Sequence, residues 1–311
     1  MIVHLGLGAF HRAHQAVYTE DAGGWEICGV AWRRRTVADA LRANGWRYTV
    51  ISRGPERDEA REIGVIRDAL VAADEPEAVV ERIAAAELVT LTITEGAYER
   101  GGMLELLARG IARRDEPLTV ISCDNVPRNG EVLRGLLGDI AAFPCTMVDR
   151  IVPTPEDPLT VVAEPFSQWV IEDFPGPRPA WPGVQIVPDS RPYELMKLRL
   201  VNGTHSALAA LATHHETVAE AIADPELYEF VRRLLNEELL LTVDAPDGYV
   251  ETMLERFRNP RIEHRLEQIA AGAEHKIAQR LLPAADELRA AGREPVLISR
   301  VVAAAGLTAA G

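Results

Sequence analysis

Apolar residues fall in short unbroken blocks through the first half of the chain and recur at helical spacing through the second. The blocks Ile2 to Leu5, Trp25 to Trp32, Leu88 to Thr94, Leu118 to Cys123 and Thr146 to Ile151 have the length and β-branched content of strands covered on both faces. Between them, Thr36 to Ala43, Pro76 to Ala86 and Gly130 to Ile140 carry the three-to-four-residue spacing of amphipathic helices. Strands that alternate with helices assemble a parallel sheet through crossover connections, so the expected fold class is α/β, a Rossmann-type doubly wound parallel sheet. From Pro153 to Pro192 prolines interrupt the pattern around two strand-like pieces, Leu159 to Glu164 and Val184 to Val187. Beyond them, Tyr193 to Leu211, Glu216 to Ala223, Pro225 to Leu241, Tyr249 to Phe257, Glu263 to Leu281 and Ala284 to Ala291 have helical spacing. A mostly helical second domain should therefore follow the sheet, with the division at residues 1–190 and 191–311.

The first strand runs into Gly6-Leu7-Gly8 and then into a helix-compatible stretch. Glycine at both positions permits a tight turn and lets the backbone approach a pyrophosphate, whose charge would sit on the following helix N-terminus. Gly6, Gly8, Ala9 and Phe10 are thus candidate dinucleotide contacts, although His11 stands where a third glycine would complete the usual fingerprint. The second strand ends in Trp32-Arg33-Arg34-Arg35-Thr36. A carboxylate there would hold the ribose hydroxyls of NAD; guanidinium groups, Arg33 foremost, accommodate the 2′-phosphate of NADP. An exposed charge run at a helix start is the alternative reading. The cofactor expected is NAD or NADP.

The segment Tyr193 to Ser206 holds the densest chemistry. At about 100° per residue on a helix, Glu194, Lys197, Asn202 and His205 share an arc of roughly 140°. Leu198, Leu200 and Val201 interleave them, which suggests a buried helix lining a pocket. Oxidation of an alcohol by hydride transfer needs a base for the hydroxyl proton and donors for the oxygen. Lys197 suits the first role if desolvation lowers its pKa, and Asn202 with His205 suits the second. A polar stripe on a structural helix is the other reading of the same residues.

Composition narrows the partners. Among 311 residues, 47 are acidic and 33 basic, a net charge of −14 that repels a nucleic-acid backbone. Cys28, Cys123 and Cys145 match no zinc or disulfide spacing and read as reduced core thiols, and no metal is expected. No apolar run reaches the roughly 18 residues of a membrane span. Met1 leads straight into a strand without a leader pattern, so a cytoplasmic location is expected. Oligomeric state is not legible.

Several stretches taken together resemble the mannitol dehydrogenase family of polyol-specific long-chain dehydrogenases, which includes fructuronate reductase (D-mannonate oxidoreductase) and tagaturonate reductase. They are HLGLGAFHRAHQA at 4–16, LTITEGAY at 91–98, SCDNVPRNG at 122–130, MVDRIVP at 147–153, EPFSQWVIED at 164–173 and KLRLVNGTHS at 197–206. The resemblance implies Lys197 as general base, Asn202, His205 and Asn125 as contacts to the reacting oxygen, and Glu194 in proton passage. It also implies Arg12 beside the pyrophosphate and Glu95 and Gly96 near the cofactor. The substrate it implies is a small polyol or sugar acid. VAWRRRTVADAL resembles the fructuronate reductase branch, with mannitol or arabinitol oxidation close behind; a substrate carboxylate would require a further cation, for which Lys276 and Arg280 are candidates. Two departures stand out. Family members are generally longer at both ends, which puts the completeness of the substrate pocket in question. Near 269–276 the family's Asp-Gly-Ser is replaced by Gly272-Ala273-Glu274, although Lys276 is kept. A nucleotide-binding sensor that has lost catalysis is the rival of another class; the retention of Lys197, Asn202 and His205 weighs against it.

Overall fold

In the computed structural model, residues 1–93, 98 and 102–307 are described, and the chain divides into two compact units, Met1–Ser190 and Arg191–Gly311. Among its described residues the first contains eleven strands: β1 (Ile2–Leu5), β2 (Ile27–Ala31), β3 (Tyr48–Arg53), β4 (Asp58–Ile63), β5 (Ile66–Val71), β6 (Leu88–Leu91), β7 (Val120–Ser122), β8 (Thr146–Asp149), β9 (Thr160–Ala163), β10 (Gln168–Glu172) and β11 (Gln185–Val187). The order β5-β2-β1-β6-β7 forms an all-parallel sheet. Its side chains alternate between two cores, with Val3, Leu5, Val30 and Leu91 in one and Ile2, Ile27 and Leu88 in the other. Burial on both faces explains why these strands are continuous apolar runs.

Three features depart from the sequence reading. Thr146 to Ile151 was expected in the doubly wound sheet; β8 instead pairs antiparallel with β10 in a separate sheet of order β11-β10-β8. β5, absent from the expected strands, forms an edge of the parallel sheet. Its apolar run is broken by Asp68, which is satisfied by Arg82 at 2.6 Å. The hairpin of β3 and β4, extended by β9, makes a third sheet, and the sequence of β4, Asp-Glu-Ala-Arg-Glu-Ile, hides a strand because five of its six residues are exposed. Fully buried Trp169 on β10 packs against Trp181 at 4.7 Å and Tyr18 at 5.6 Å.

The second unit is helical around one apolar cluster that runs from Met196 to Val302. Tyr193 to Leu211 was expected as one helix. It is an α-helix Arg191–Met196, a π-helical turn Lys197–Asn202 and an α-helix Gly203–Leu211. A further helix, Val296–Ala304, was not anticipated from its β-branched sequence; the buried Glu238 carboxylate caps it, accepting from the amides of Leu297 at 2.7 Å and Ile298 at 2.8 Å. No helix among the described residues is long and apolar enough to cross a membrane.

Candidate active site

The glycine turn in the first unit is built by the sheet around it. Gly6 donates to Val30 O at 2.8 Å and takes φ +107°, outside the range of an ordinary side chain, while its missing Cβ leaves room for the Thr92 carbonyl. His4 braces the turn. The Thr92 hydroxyl donates to Gly6 O at 3.1 Å, so it must accept from Nε2 of His4 at 2.9 Å, which leaves Nδ1 to accept from Thr90 at 2.7 Å. This chain of bonds fixes the neutral Nε2–H tautomer. Gly8 has a different surrounding. A Cβ there would meet nothing nearer than Gly6 O at 4.0 Å, so no protein atom requires glycine at that position. The open, exposed backbone ahead of the helix Ala9–Ala13 fits a pyrophosphate. Ala9 and Phe10 are half-buried there.

Arg12 has other partners than a pyrophosphate. It is buried, donates to Pro158 O at 2.5 Å and Gly8 O at 3.3 Å, and lies 5.7 Å from the Tyr48 ring centre. Its neighbours are equally engaged: His14 bonds Gln168 O at 3.0 Å and Arg150 bonds Ala13 O at 2.5 Å. The polar run after the turn thus buttresses it from within. Arg33 is exposed, with its guanidinium 5.6 Å from the Trp32 ring. Glu95 and Gly96 lie outside the described residues. On either side of them, Asp124 accepts from Ile93 N at 3.0 Å and from the Tyr98 hydroxyl at 2.9 Å. That role for Asp124 was not singled out from sequence. The next residue, Asn125, is exposed, and buried Asn129 locks the loop by donating to Asp124 O and Thr146 O, both at 3.1 Å.

His4 and His11 stack beneath the turn with centroids 3.3 Å apart. Burial lowers His4 to about 3 and holds His11 well below the ordinary 6.5, so both are neutral in the fold. In the unfolded chain they take up protons near 6.5; the stability tied to their neutrality is full above that pH and lost as pH falls below it, for His4 down to about 3. The expected slope is about 1.4 kcal/mol per pH unit for each ring. Urea midpoints between pH 7.5 and 5 should therefore fall, and less steeply in His11→Asn than in the parent chain.

In the second unit the π turn alters the geometry of the candidate base. On a regular helix Lys197 and Asn202, five residues apart, would lie about 140° apart; a turn closed by i→i+5 bonds brings such residues closer to one side. π turns are frequent at functional sites. Arg280 secures this one, donating to Asn202 O at 3.2 Å and to the Ser206 hydroxyl at 3.0 Å, and Gly203 admits Leu281 to within 3.0 Å of where a Cβ would lie. On the opposite side buried Arg199 grips Glu287 at 2.5 and 2.6 Å. His205 follows one turn after the π segment, buried, stacked 4.3 Å from Phe257 and edge-on 4.5 Å from His264. Burial first, then the charges of His264, Arg256, Arg280 and Lys197, hold it well below the ordinary imidazole range. It is a neutral ring whose Nε2 has no partner among the described residues, with Lys197 among its neighbours. His264, lowered to about 4 by burial, and Arg256 complete this surrounding and were not singled out from sequence. Lys197 and Glu194 are half-buried and Asn202 is buried. Lys276 donates to Ile269 O at 2.9 Å. The residues brought together are thus Lys197, Asn202 and His205; Asn125 and the glycine turn belong to the other unit.

Among the described residues no cluster of His, Cys, Asp or Glu is arranged to hold a metal, and the three cysteines are buried free thiols. The mannitol dehydrogenase Rossmann domain model matches residues 1–183 and the mannitol dehydrogenase C-terminal domain model residues 189–307. D-mannonate oxidoreductase of Escherichia coli K12 is 37% identical over 90% of this chain and 74% of its own length. A mannitol 2-dehydrogenase of Pyrenophora tritici-repentis is 34% identical over 94% of this chain and 66% of its own. Among solved structures, the Pseudomonas fluorescens mannitol 2-dehydrogenase ternary complex with NAD and D-mannitol superposes with a TM-score of 0.87 at 32% identity, covering 98% of this chain and 78% of that one. With both domain models matched in order over nearly its whole length, the chain belongs to the mannitol dehydrogenase family of oxidoreductases.

Proposed function

We propose that this protein interconverts a secondary alcohol and a ketone on a sugar acid, D-mannonate and fructuronate, with NAD or NADP as hydride carrier. The observation that carries the reading is the π-turned helix on which Lys197, Asn202 and a neutral His205 with an unpaired, buried ring nitrogen stand together. The relative at 37% identity is a D-mannonate oxidoreductase, and the cationic groups Arg256 and Arg280 around His205 suit a substrate that carries a carboxylate.

The nicotinamide, when bound, supplies the hydride acceptor for alcohol oxidation. The glycine turn fits its pyrophosphate, because Gly8 is open where Gly6 is closed by the protein itself. In the oxidation direction the Lys197 amine takes the hydroxyl proton. Asn202 donates to the oxygen as charge develops on it, and His205, held neutral, offers a single N–H to the same atom. Glu194 passes the proton onward. Arg280 acts through the π turn, holding the Asn202 carbonyl so that the amide side chain keeps its place.

Mannitol oxidation is the second reading, favoured by the mannitol 2-dehydrogenase relatives and by the solved complex with D-mannitol. Oxidation of reduced cofactor with fructuronate, fructose and tagaturonate separates the two. Under the proposal, kcat/KM for fructuronate exceeds that for fructose by at least about 100-fold, the scale of one charge-assisted contact. A preference for fructose would establish the second reading. Tight binding of the reduced cofactor with no turnover on any of the three would establish a nucleotide-binding sensor instead.

A further inference from the structure

We infer that Arg199 and Glu287 are positioning residues of the reaction: their ion pair holds the segment Lys197–Asn202 in its π register, and with it the relation of Lys197 to Asn202 and His205. This rests on the reading of Lys197 as the base and adds what keeps that base in place.

π turns are rare single-turn interruptions of α-helices, so this one needs a cause. The amide of Gly203 closes it by bonding Leu198 O, five residues back. The local sequence supplies no reason. Lys-Leu-Arg-Leu-Val-Asn contains neither proline nor glycine, and as a regular helix it would join Arg191–Met196 to Gly203–Leu211 without a break. In that register the residues after the turn would be rotated by about 100° against those before it, one residue's share of an α-helical turn. Lys197 and Asn202 would then stand about 140° apart.

Arg199 lies in the middle of the turn and is buried. Its fork spans two other elements. One terminal nitrogen donates to Thr242 O at 2.6 Å, at the end of the short helix Leu239–Thr242, and to Glu287 Oε2 at 2.6 Å; the other donates to Glu287 Oε1 at 2.5 Å, on the helix Leu282–Ala290. A planar guanidinium engaged at both ends fixes direction as well as distance, and so fixes the backbone that bears it. The bonds from Arg199 hold the Glu287 carboxyl below the ordinary carboxylate range, so the pair stays fully charged. Arg280 meets the turn elsewhere, at the Asn202 carbonyl where the chain leaves it. Stability alone does not call for a buried guanidinium here, because an apolar residue of similar volume at such a position is often as stable. That contrast separates a positioning role from a structural one.

The experiment compares the full chain with Arg199→Met, which fills the space without charge, and with Glu287→Gln, at an exposed position where the amide leaves one acceptor in place of two. For each, kcat is measured with fructuronate and with fructose, affinity for NADH and NADPH by nicotinamide fluorescence, and stability by the urea midpoint. The chain has two lysines, so the rate at which an amine reagent labels Lys197, read by peptide mass spectrometry, can be referred to Lys276 in the same molecule. In Arg199→Met kcat should fall about 10- to 100-fold, and in Glu287→Gln about 3- to 10-fold, the scale of a catalytic group displaced by about an ångström. Cofactor affinity should stay within about threefold, while the Lys197 to Lys276 labelling ratio changes by at least about threefold in both variants. A stable Arg199→Met with kcat within about twofold of the parent overturns the inference. So does a labelling ratio indifferent to both substitutions, or cofactor affinity lost in step with kcat. If Arg199→Met does not fold, Glu287→Gln decides by the same criteria. A parent chain without turnover overturns the proposed function alone, and the labelling ratio then decides whether the pair sets the place of Lys197.

Discussion

Replacing Lys197 by alanine is expected to lower kcat for alcohol oxidation by about 10²- to 10⁴-fold, the contribution of a positioned general base. The loss should be in kcat and kcat/KM together, because the interaction removed is made in the transition state. Cofactor affinity should stay within about threefold, since the glycine turn and the bonds from Val30, Thr92 and His4 that hold it lie in the first unit. A raised pH should partly rescue Lys197→Ala as hydroxide substitutes for the amine. A variant that loses cofactor binding and turnover to the same degree would mark Lys197 as a structural residue of the π turn. A comparison variant is Arg280→Lys. It keeps the charge near His205 but not the forked reach to Asn202 O and Ser206, so a smaller fall in kcat there would locate part of the effect in the turn's geometry.

Legibility of this chain follows how local each determinant is. β1 and the glycine turn could be read because Ile2 to Leu5 is buried on both faces and because Gly6 and Gly8 are adjacent in sequence to what they serve. β4 could not, since its pairing with β3 is backbone bonding and its side chains face outward. Lys197, Asn202 and His205 were legible as residue types on one helix. The π turn was not, because Lys-Leu-Arg-Leu-Val-Asn has ordinary helical periodicity and what secures it, Arg280, arrives from 78 residues away. Arg12 shows the limit most clearly. A cation after a glycine turn suggests a phosphate contact, yet its partner is the carbonyl of Pro158, 146 residues distant, in the proline-rich stretch whose loop path no periodicity encodes. The relatives add a last point: the alignment with D-mannonate oxidoreductase runs over 359 positions, more than the whole 311-residue chain, so that relative carries residues inside the matched region that this chain lacks. The difference in length from that relative therefore lies at least in part inside the matched region.

Gly6→Ala and Gly8→Ala should separate what the fold demands of the turn from what a ligand demands. At Gly6 the new Cβ would stand 2.0 Å from Thr92 O and 2.7 Å from its carbonyl carbon. Thr92 cannot retreat, because its amide donates to Leu5 O at 2.8 Å and its hydroxyl is held between Gly6 O and His4. With φ at +107° no rotamer relieves the collision. Destabilisation of about 3–5 kcal/mol is expected, a large share of the stability of an ordinary domain, and it should appear as a strongly lowered urea midpoint without any ligand present. At Gly8, φ is −90° and nothing lies within 4.0 Å except Gly6 O, so the same substitution should move the midpoint by less than about 1 kcal/mol. Its effect should appear only on adding dinucleotide, as an affinity at least about tenfold weaker, because a methyl group at the head of the helix Ala9–Ala13 stands where the pyrophosphate must approach the backbone. Should Gly8→Ala bind dinucleotide as the parent does, the open face of the turn would not be the phosphate cradle, and the nucleotide would have to enter elsewhere on the sheet.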